Sequence, residues 1–217
     1  MKILALEFST AQRSVAVVVD GQVRGRTQEI GTRENRALSL IEAALGAAGL
    51  DRENVDCLAV GLGPGSYNGI RSAIALAQGW QLARGTQILG ISSVESIAAQ
   101  AQVGNIHGQV YIVIDAQRNE FYLARYEVSA SGCREVAPLR LAGREEVLAL
   151  VREGETTLGP EVTSEWSAAR QIFPDAAMVG QMASRRGDFV PGERLEPIYL
   201  REPRFVKAPP PRIIPAV

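Results

Sequence analysis

Two distant stretches of this chain follow one pattern: ILALEFSTAQRSVAVVV near its start and VYIVIDAQRNEFYLARY past its midpoint. Each reads as an apolar strand, a carboxylate (Glu7, then Asp115), a short polar turn and a returning strand. Hairpins are common enough to arise twice by chance, but the acid falls at the same place in both, which favours a degenerate internal repeat. A repeat constrains the fold more than any single motif does, because a duplicated unit has two equivalent sheets to bury.

The first unit runs in a definite order. Ile3 to Leu6 and Val15 to Val19 read as strands, Asp20-Gly21 is a hairpin turn signal, and Gln22 to Ile30 returns as a third strand. From Glu34 to Gly49 the apolar period becomes helical, with Ala37, Leu38, Ile41, Ala44, Leu45 and Ala48 on one stripe and Gly49 placed as a C-cap. Asp56 to Leu62 reads as a buried strand and Gly69 to Arg84 as a second helix. In the second unit Val110 to Ile114, Phe121 to Val128 and Glu135 to Leu141 read as strands. Arg144 to Arg152 reads as a helix, Thr156 to Leu158 as a strand, and Ser164 to Ile172 as a helix stopped before Pro174. The expected class is α/β, divided into residues 1–104, residues 105–202 and a proline-rich tail, 203–217.

Composition removes several functions. The chain carries 23 basic and 24 acidic side chains, so it offers no bulk positive surface for gripping nucleic acid unaided. Cys57 and Cys133 stand far apart with no C-x-x-C, against a disulfide framework or a cysteine zinc site. His107 is the one histidine, reads as a surface loop residue, and cannot supply a zinc set or a nucleophile–base pair. The first apolar run ends at Glu7, too short for a signal peptide, and the other apolar stretches are strand-sized, so the expected setting is cytoplasmic with no membrane span.

Chemistry concentrates in GLGPGSYNGIRSAIALAQG, Gly61 to Gly79. Gly63, Pro64 and Gly65 permit a sharp turn after a buried strand. Ser66 to Gly69 lead into a helix whose free N–H groups and dipole favour an anion. Glu7, Gly63, Gly65, Ser66 and Asp115 are therefore the candidates for an anion or ion site; a capped strand-to-helix connection with two solvated turn carboxylates is the plainer alternative. Arg71 could anchor an anion or pair with an acid. The helices also carry more apolar surface than a single sheet covers. Ile70, Ala73, Ile74 and Ala77 form one side of the second helix and Ala75, Leu76, Gly79 and Leu82 another, while the first adds Leu40, Ala43 and Ala47 outside its stripe. A helix apolar on every face needs burial on every face, and small residues let a partner helix approach closely. Leu38, Ile41, Leu45, Arg71, Ala75, Leu76 and Gly79 are accordingly the candidate partner interface, with burial between the chain's own halves as the alternative.

The strand-strand-strand-helix-strand-helix unit, taken twice, resembles the actin-like ATPase superfamily, in which two ribonuclease-H-like domains face each other across a cleft. Four stretches narrow the resemblance to the TsaB family: ILALEFST, the GPGSYNGIR segment, DAQRNEFY and PIYLR. The resemblance implies a non-catalytic subunit that binds and activates a TsaD-type enzyme for threonylcarbamoyl transfer to the tRNA adenosine next to the anticodon. It implies a TsaE-type ATPase as a further partner and a homodimer when the partner is absent. It also implies tRNA contact only through the complex, and no tightly bound cofactor, ATP and Mg being used through the partners. Several positions depart from the pattern. Glu7 stands where the family commonly has Asp, and Arg33, Glu34 and Asn35 stand where it often has a His. Gln117, Arg118 and Asn119 fill a turn in which active ATPases keep small residues, and Gly159-Pro160 stands where they keep an adenosine-binding glycine pair. These departures imply a pseudo-enzyme; the alternative is a small kinase or ATPase of the superfamily. The isolated chain is therefore expected to bind ATP weakly or not at all. Calorimetry returning a micromolar Kd, about −8 kcal/mol, would favour the kinase instead.

Overall fold

The computed structural model describes residues 1–31, 36–161, 166 and 169–200, and shows the repeat as two five-stranded sheets of one topology. The first sheet contains β1 (Lys2–Glu7), β2 (Gln12–Val19), β3 (Gln22–Ile30), β4 (Cys57–Gly61) and β5 (Gln87–Ile91), in the order β3-β2-β1-β4-β5. The second contains β6 (Gly108–Asp115), β7 (Glu120–Ser129), β8 (Gly132–Gly143), β9 (Thr157–Gly159) and β10 (Arg170–Gln171), in the order β8-β7-β6-β9-β10. In each, three antiparallel strands are followed by two parallel ones. β6 thus holds the place of β1, and Glu7 and Asp115 end equivalent strands, as the repeat requires. The α/β fold fits two ribonuclease-H-like domains.

Alternation along β1 explains how the helices are placed. Leu4 and Leu6 point into a core shared with α1 (Ala37–Ala48) and α2 (Tyr67–Arg84), while Ile3 and Ala5 point into a second core under α5 (Ala176–Ala183). A strand buried on both faces reads as a continuous apolar run rather than an alternating one, because successive side chains point to opposite faces. The second sheet is covered by α3 (Ser93–Val103) on one face and by α4 (Arg144–Arg152) with Trp166 on the other. α3 and α5 touch each other between the sheets. Among the described residues, no helix is long and apolar enough to cross a membrane.

Several details follow from local chemistry. Asp20 and Gly21 both take positive φ in the first hairpin, and Gly49 ends α1 in the left-handed conformation, its N–H reaching back to Gly46 O. The helix expected over Ser164 to Ile172 is corrected at its end: Arg170 and Gln171 form β10, held to β9 and closed by the Ile172 N–H on Gly159 O at 2.9 Å. Sheet pairing there outweighs helical periodicity. The structure also adds β5, α3 and α5 to the expected order. The sites at Arg33, Glu34 and Asn35, Arg201 of PIYLR and the tail 203–217 lie outside the described residues.

α1 seats against β3 at Gly25, where an added Cβ would fall 2.1 Å from Ala44 O and 3.0 Å from Ala48 N. Both are backbone atoms of a helix and cannot rotate away. Gly25→Ala is therefore expected to cost about 2–3 kcal/mol and to lower Tm by roughly 5–10 °C. Thermal unfolding followed by circular dichroism measures it; an unchanged Tm would mean that α1 can lift from the sheet freely.

Candidate functional site

Between the two halves lies a cleft of about 610 Å³. Its first wall is the turn after β1 (Ser9, Thr10) and the loop into α2 (Gly65, Ser66, Tyr67, Asn68); Asp115, Gln117 and Glu161 face it. The first wall is close-packed backbone. Ser66 N–H donates to Ser9 O at 2.7 Å, a Cβ on Gly65 would fall 2.1 Å from that same oxygen, and one on Gly69 would fall 1.9 Å from Phe8 O. Only glycine lets α2 begin this close to β1. Ser66 caps the helix, its Oγ accepting the Gly69 N–H at 3.3 Å, as the plainer reading of this motif expects. Ser9 Oγ is buried with no hydrogen-bond partner among the described residues.

The structure brings Gly65, Ser66 and Asp115 together at this cleft but sets Glu7 and Gly63 apart. Gly63 is buried beneath Ile70, whose Cδ1 lies 2.4 Å from where a Cβ would stand. Glu7 is 0 % exposed, so it is neither a solvated turn acid nor a cleft ligand. Ser9 N–H donates to its Oε1 at 2.8 Å and Ser93 Oγ to its Oε2 at 2.7 Å. Burial pushes its carboxyl above the ordinary glutamate range, partly offset by those bonds. The longer Glu reaches back over Gly61, where any side chain would strike its carboxylate at 2.0 Å.

Glu161 also lines this cleft, at a position the sequence does not mark. Its Oε2 accepts the Asp115 N–H at 3.1 Å, and burial pushes its carboxyl up to about 7, the Asp115 N–H lowering it and the Asp115 charge raising it. Nothing in its local sequence marks it, since β9 alone delivers it to the cleft. Across the same wall Gln117, Arg118 and Asn119 take φ of 63°, 59° and 60°. Left-handed backbone costs roughly 1–2 kcal/mol per ordinary residue; the Gln117 N–H bond to Asp115 Oδ1 at 2.7 Å helps hold the turn.

The second candidate is the outer face of α1 and α2. Leu38 is 63 % and Leu82 90 % exposed, and Arg71, Ala75 and Gly79 are exposed with Leu76 half-buried beside them. A groove of about 400 Å³ runs there, walled by Leu38, Leu76 and Trp80 over Ala75, Gly79 and Ala83, with Arg52 and Arg84 at its rim. Ile41 and Leu45, expected at this interface, are instead core residues, 3 % and 6 % exposed. They lie on the α1 stripe turned to the sheet, where burial within the chain takes them first. Arg71 sits over the Tyr67 ring, 5.2 Å from its centroid, and Tyr67 stacks on Tyr199 at 5.4 Å. An aromatic contact thus supplements the two partners considered for that guanidinium.

Comparison with known proteins gives the family. The family model described as TsaD: tRNA N6-adenosine threonylcarbamoyltransferase matches residues 32–176, more than half of the chain. The tRNA threonylcarbamoyladenosine biosynthesis protein TsaB of Escherichia coli (strain K12) is 29% identical over 227 residues, covering 93% of this chain and 95% of the relative. The protein of the same name from Haemophilus influenzae is 33% identical over 127 residues, 58% of this chain and 53% of the relative. Among solved structures, YeaZ from Pseudomonas aeruginosa superposes with a TM-score of 0.76 at 27% identity, covering 92% of this chain and 99% of that one. With its duplicated fold, a family model matched over more than half of its length, and the Escherichia coli relative and the Pseudomonas aeruginosa structure each matched nearly end to end, the chain belongs to the TsaB (YeaZ) family.

Proposed function

We propose that this chain serves tRNA threonylcarbamoyladenosine biosynthesis as a non-catalytic subunit, binding a TsaD-type enzyme through the outer face of α1 and α2. The observation that carries this reading is the face itself. Single exposed leucines are ordinary on a monomer. Here Leu38 and Leu76 flank a groove floored by Ala75 and Gly79, and a Cβ added at Gly79 would meet nothing within 4 Å. Small residues between apolar walls suit the close approach of a second helix. Family membership supports tRNA modification as the setting.

A subunit of this kind acts only through the difference in its affinity for the partner's conformations. It keeps no cofactor of its own: ATP and Mg are handled by the TsaD-type and TsaE-type partners, and tRNA is met through the complex, in the cytoplasm. Without a partner, the same face pairs two copies of the chain. The kinase alternative is less favoured, because Gln117, Arg118 and Asn119 fill the turn in which active ATPases keep small residues, and Gln117 lines the cleft.

Two measurements test this. Gly79→Leu fills the groove and Leu38→Glu places a charge in it, so each is expected to weaken association with a TsaD-type protein by about 2 kcal/mol or more, some thirtyfold in Kd. Circular dichroism should show both variants folded, since both positions are open to solvent; unchanged affinity would remove this face from the interface. In reconstitution, modified tRNA measured by mass spectrometry is expected only when this chain joins the TsaD-type and TsaE-type proteins with ATP and threonylcarbamoyl-adenylate. Full modification without this chain, or modification by it alone, would refute the role.

A further inference from the structure

The half of α2 that carries the groove is lightly seated. Of the buried residues of this helix, Gly69, Ile70, Ala73, Ile74 and Ala77, only Ala77 lies beyond Ile74, with Leu76 and Trp80 half-buried beside it. A methyl offers few contacts that resist rolling or sliding. Direction comes instead from a strap, Val190 to Tyr199, which follows α5 and runs back alongside α2. Val190 N–H donates to Ile88 O of β5 at 2.9 Å, and Ile198 N–H donates to Leu62 O at 2.9 Å. Between them Leu195 enters the core shared with α1 and α2 and covers Gly90, where an added Cβ would fall 3.0 Å from its Cδ1.

The strap grips α2 at both ends. Tyr199 stacks on Tyr67, the first residue of the helix, with ring centroids 5.4 Å apart. Toward the other end, a short 3-10 turn at Gly192–Arg194 places the buried Gly192 between two glutamines of α2. Gly192 N–H donates to Gln81 Oε1 at 2.7 Å, and Gln78 Nε2 donates to Gly192 O at 2.9 Å. Gln81 Nε2 also donates to Thr86 O at 3.3 Å, so both ends of that amide are engaged. At about 100° per residue, Gln81 stands on the far side of α2 from Gly79. Strap and groove therefore occupy opposite flanks of one helix.

We propose that Gln78 and Gln81 are positioning residues for partner binding: by clasping Gly192 they fix the roll of α2, and with it the groove of Leu76 and Gly79. This rests on the reading of that groove as the seat of a TsaD-type enzyme. A partner that binds the clasped form better also favours the clasp, and by the same factor, because coupling between two equilibria is reciprocal. Partner and strap share no contact in this arrangement, so the coupling passes through the orientation of the helix between them.

The test measures both directions of that coupling on the full chain. Gln81→Met is close in size and removes the acceptor for the Gly192 N–H. Its Kd for a TsaD-type protein, measured by calorimetry, is expected to rise about tenfold. In the unsubstituted chain, adding that protein is expected to slow amide exchange at Gly192 by about the same factor, beyond any slowing at Leu123 of β7, which reports wider opening. A contact that only stabilises the fold would lower Tm yet leave the Kd and the Gly192 exchange of the complex unchanged, and that result overturns the proposal. If Gln81→Met does not fold, Gln78→Met removes only the bond to Gly192 O; the same rise in Kd is expected, and an unchanged Kd overturns the clasp. Failure of the unsubstituted chain to bind at all removes the reading of the groove and the clasp with it. A complex weakened by Gly79→Leu but indifferent to Gln78 and Gln81 removes the clasp alone.

Discussion

Burial of both faces of β1 is the constraint on which the remaining structure depends. Its side chains enter two cores at once, one under α1 and α2 and one under α5. A strand covered on both faces can end in a polar residue only where that residue is exposed or fully satisfied. In the first half the chain takes the second course at Glu7, and that choice sets the turn after β1, the loop into α2 and the start of α3. The glycines at 61, 65 and 69 answer the same crowding: at each, a Cβ would fall within about 2 Å of Glu7, Ser9 or Phe8 atoms.

The equivalent strand of the second half resolves the same problem the other way. Asp115 ends β6 at the cleft, its carboxylate bonded to the Gln117 N–H and its own N–H to Glu161. One sequence pattern thus yields two environments, a dry carboxyl with a raised pKa and an exposed one beside a second acid. The difference comes from what covers each strand end. Ser93 of α3 closes over Glu7, whereas the cleft lies open beside Asp115. Duplication conserves the backbone position of the acid and leaves its chemistry to the surroundings.

The halves are joined by helices that sit close to the opposite sheet. α3 follows the first sheet in sequence and packs on the second, while α5 follows the second and packs on the first. Gly180 admits this contact, since a Cβ there would approach Val18 to 2.6 Å. Polar contacts hold the start of α5: Ala176 N–H donates to Ser14 Oγ at 2.9 Å, and Asp175, 8 % exposed at its side chain, pairs with Arg26 at 2.6 Å. A partly buried charge-assisted bond of this kind fixes orientation as much as it stabilises. The outer face of α1 and α2 takes no part in this junction and stays exposed.

By itself, the sequence determined the two hairpins, the order of their strands, the helical stripe of α1 and the glycine loop that starts α2. Those are local: periodicity, turn chemistry and capping act over a few residues and are written wherever those residues are. It also marked α1 and α2 as carrying more apolar surface than one sheet could hide, but not which residues would be left outside. Ile41 and Leu45 went inward while Leu38 stayed exposed, because the face α1 turns to the sheet is decided by packing, and Gly25 admits the α1 backbone at Ala44. α3 and α5, rich in alanine, serine and glycine, carry too weak an apolar signal to announce themselves, and β5 and β10 are short runs defined by the strand beside them. Only the tertiary structure decided that Glu7 is buried and that Glu161 joins Asp115. Each depends on a segment more than forty residues away, and a side chain's environment is made by neighbours in space that its own neighbours in sequence do not specify.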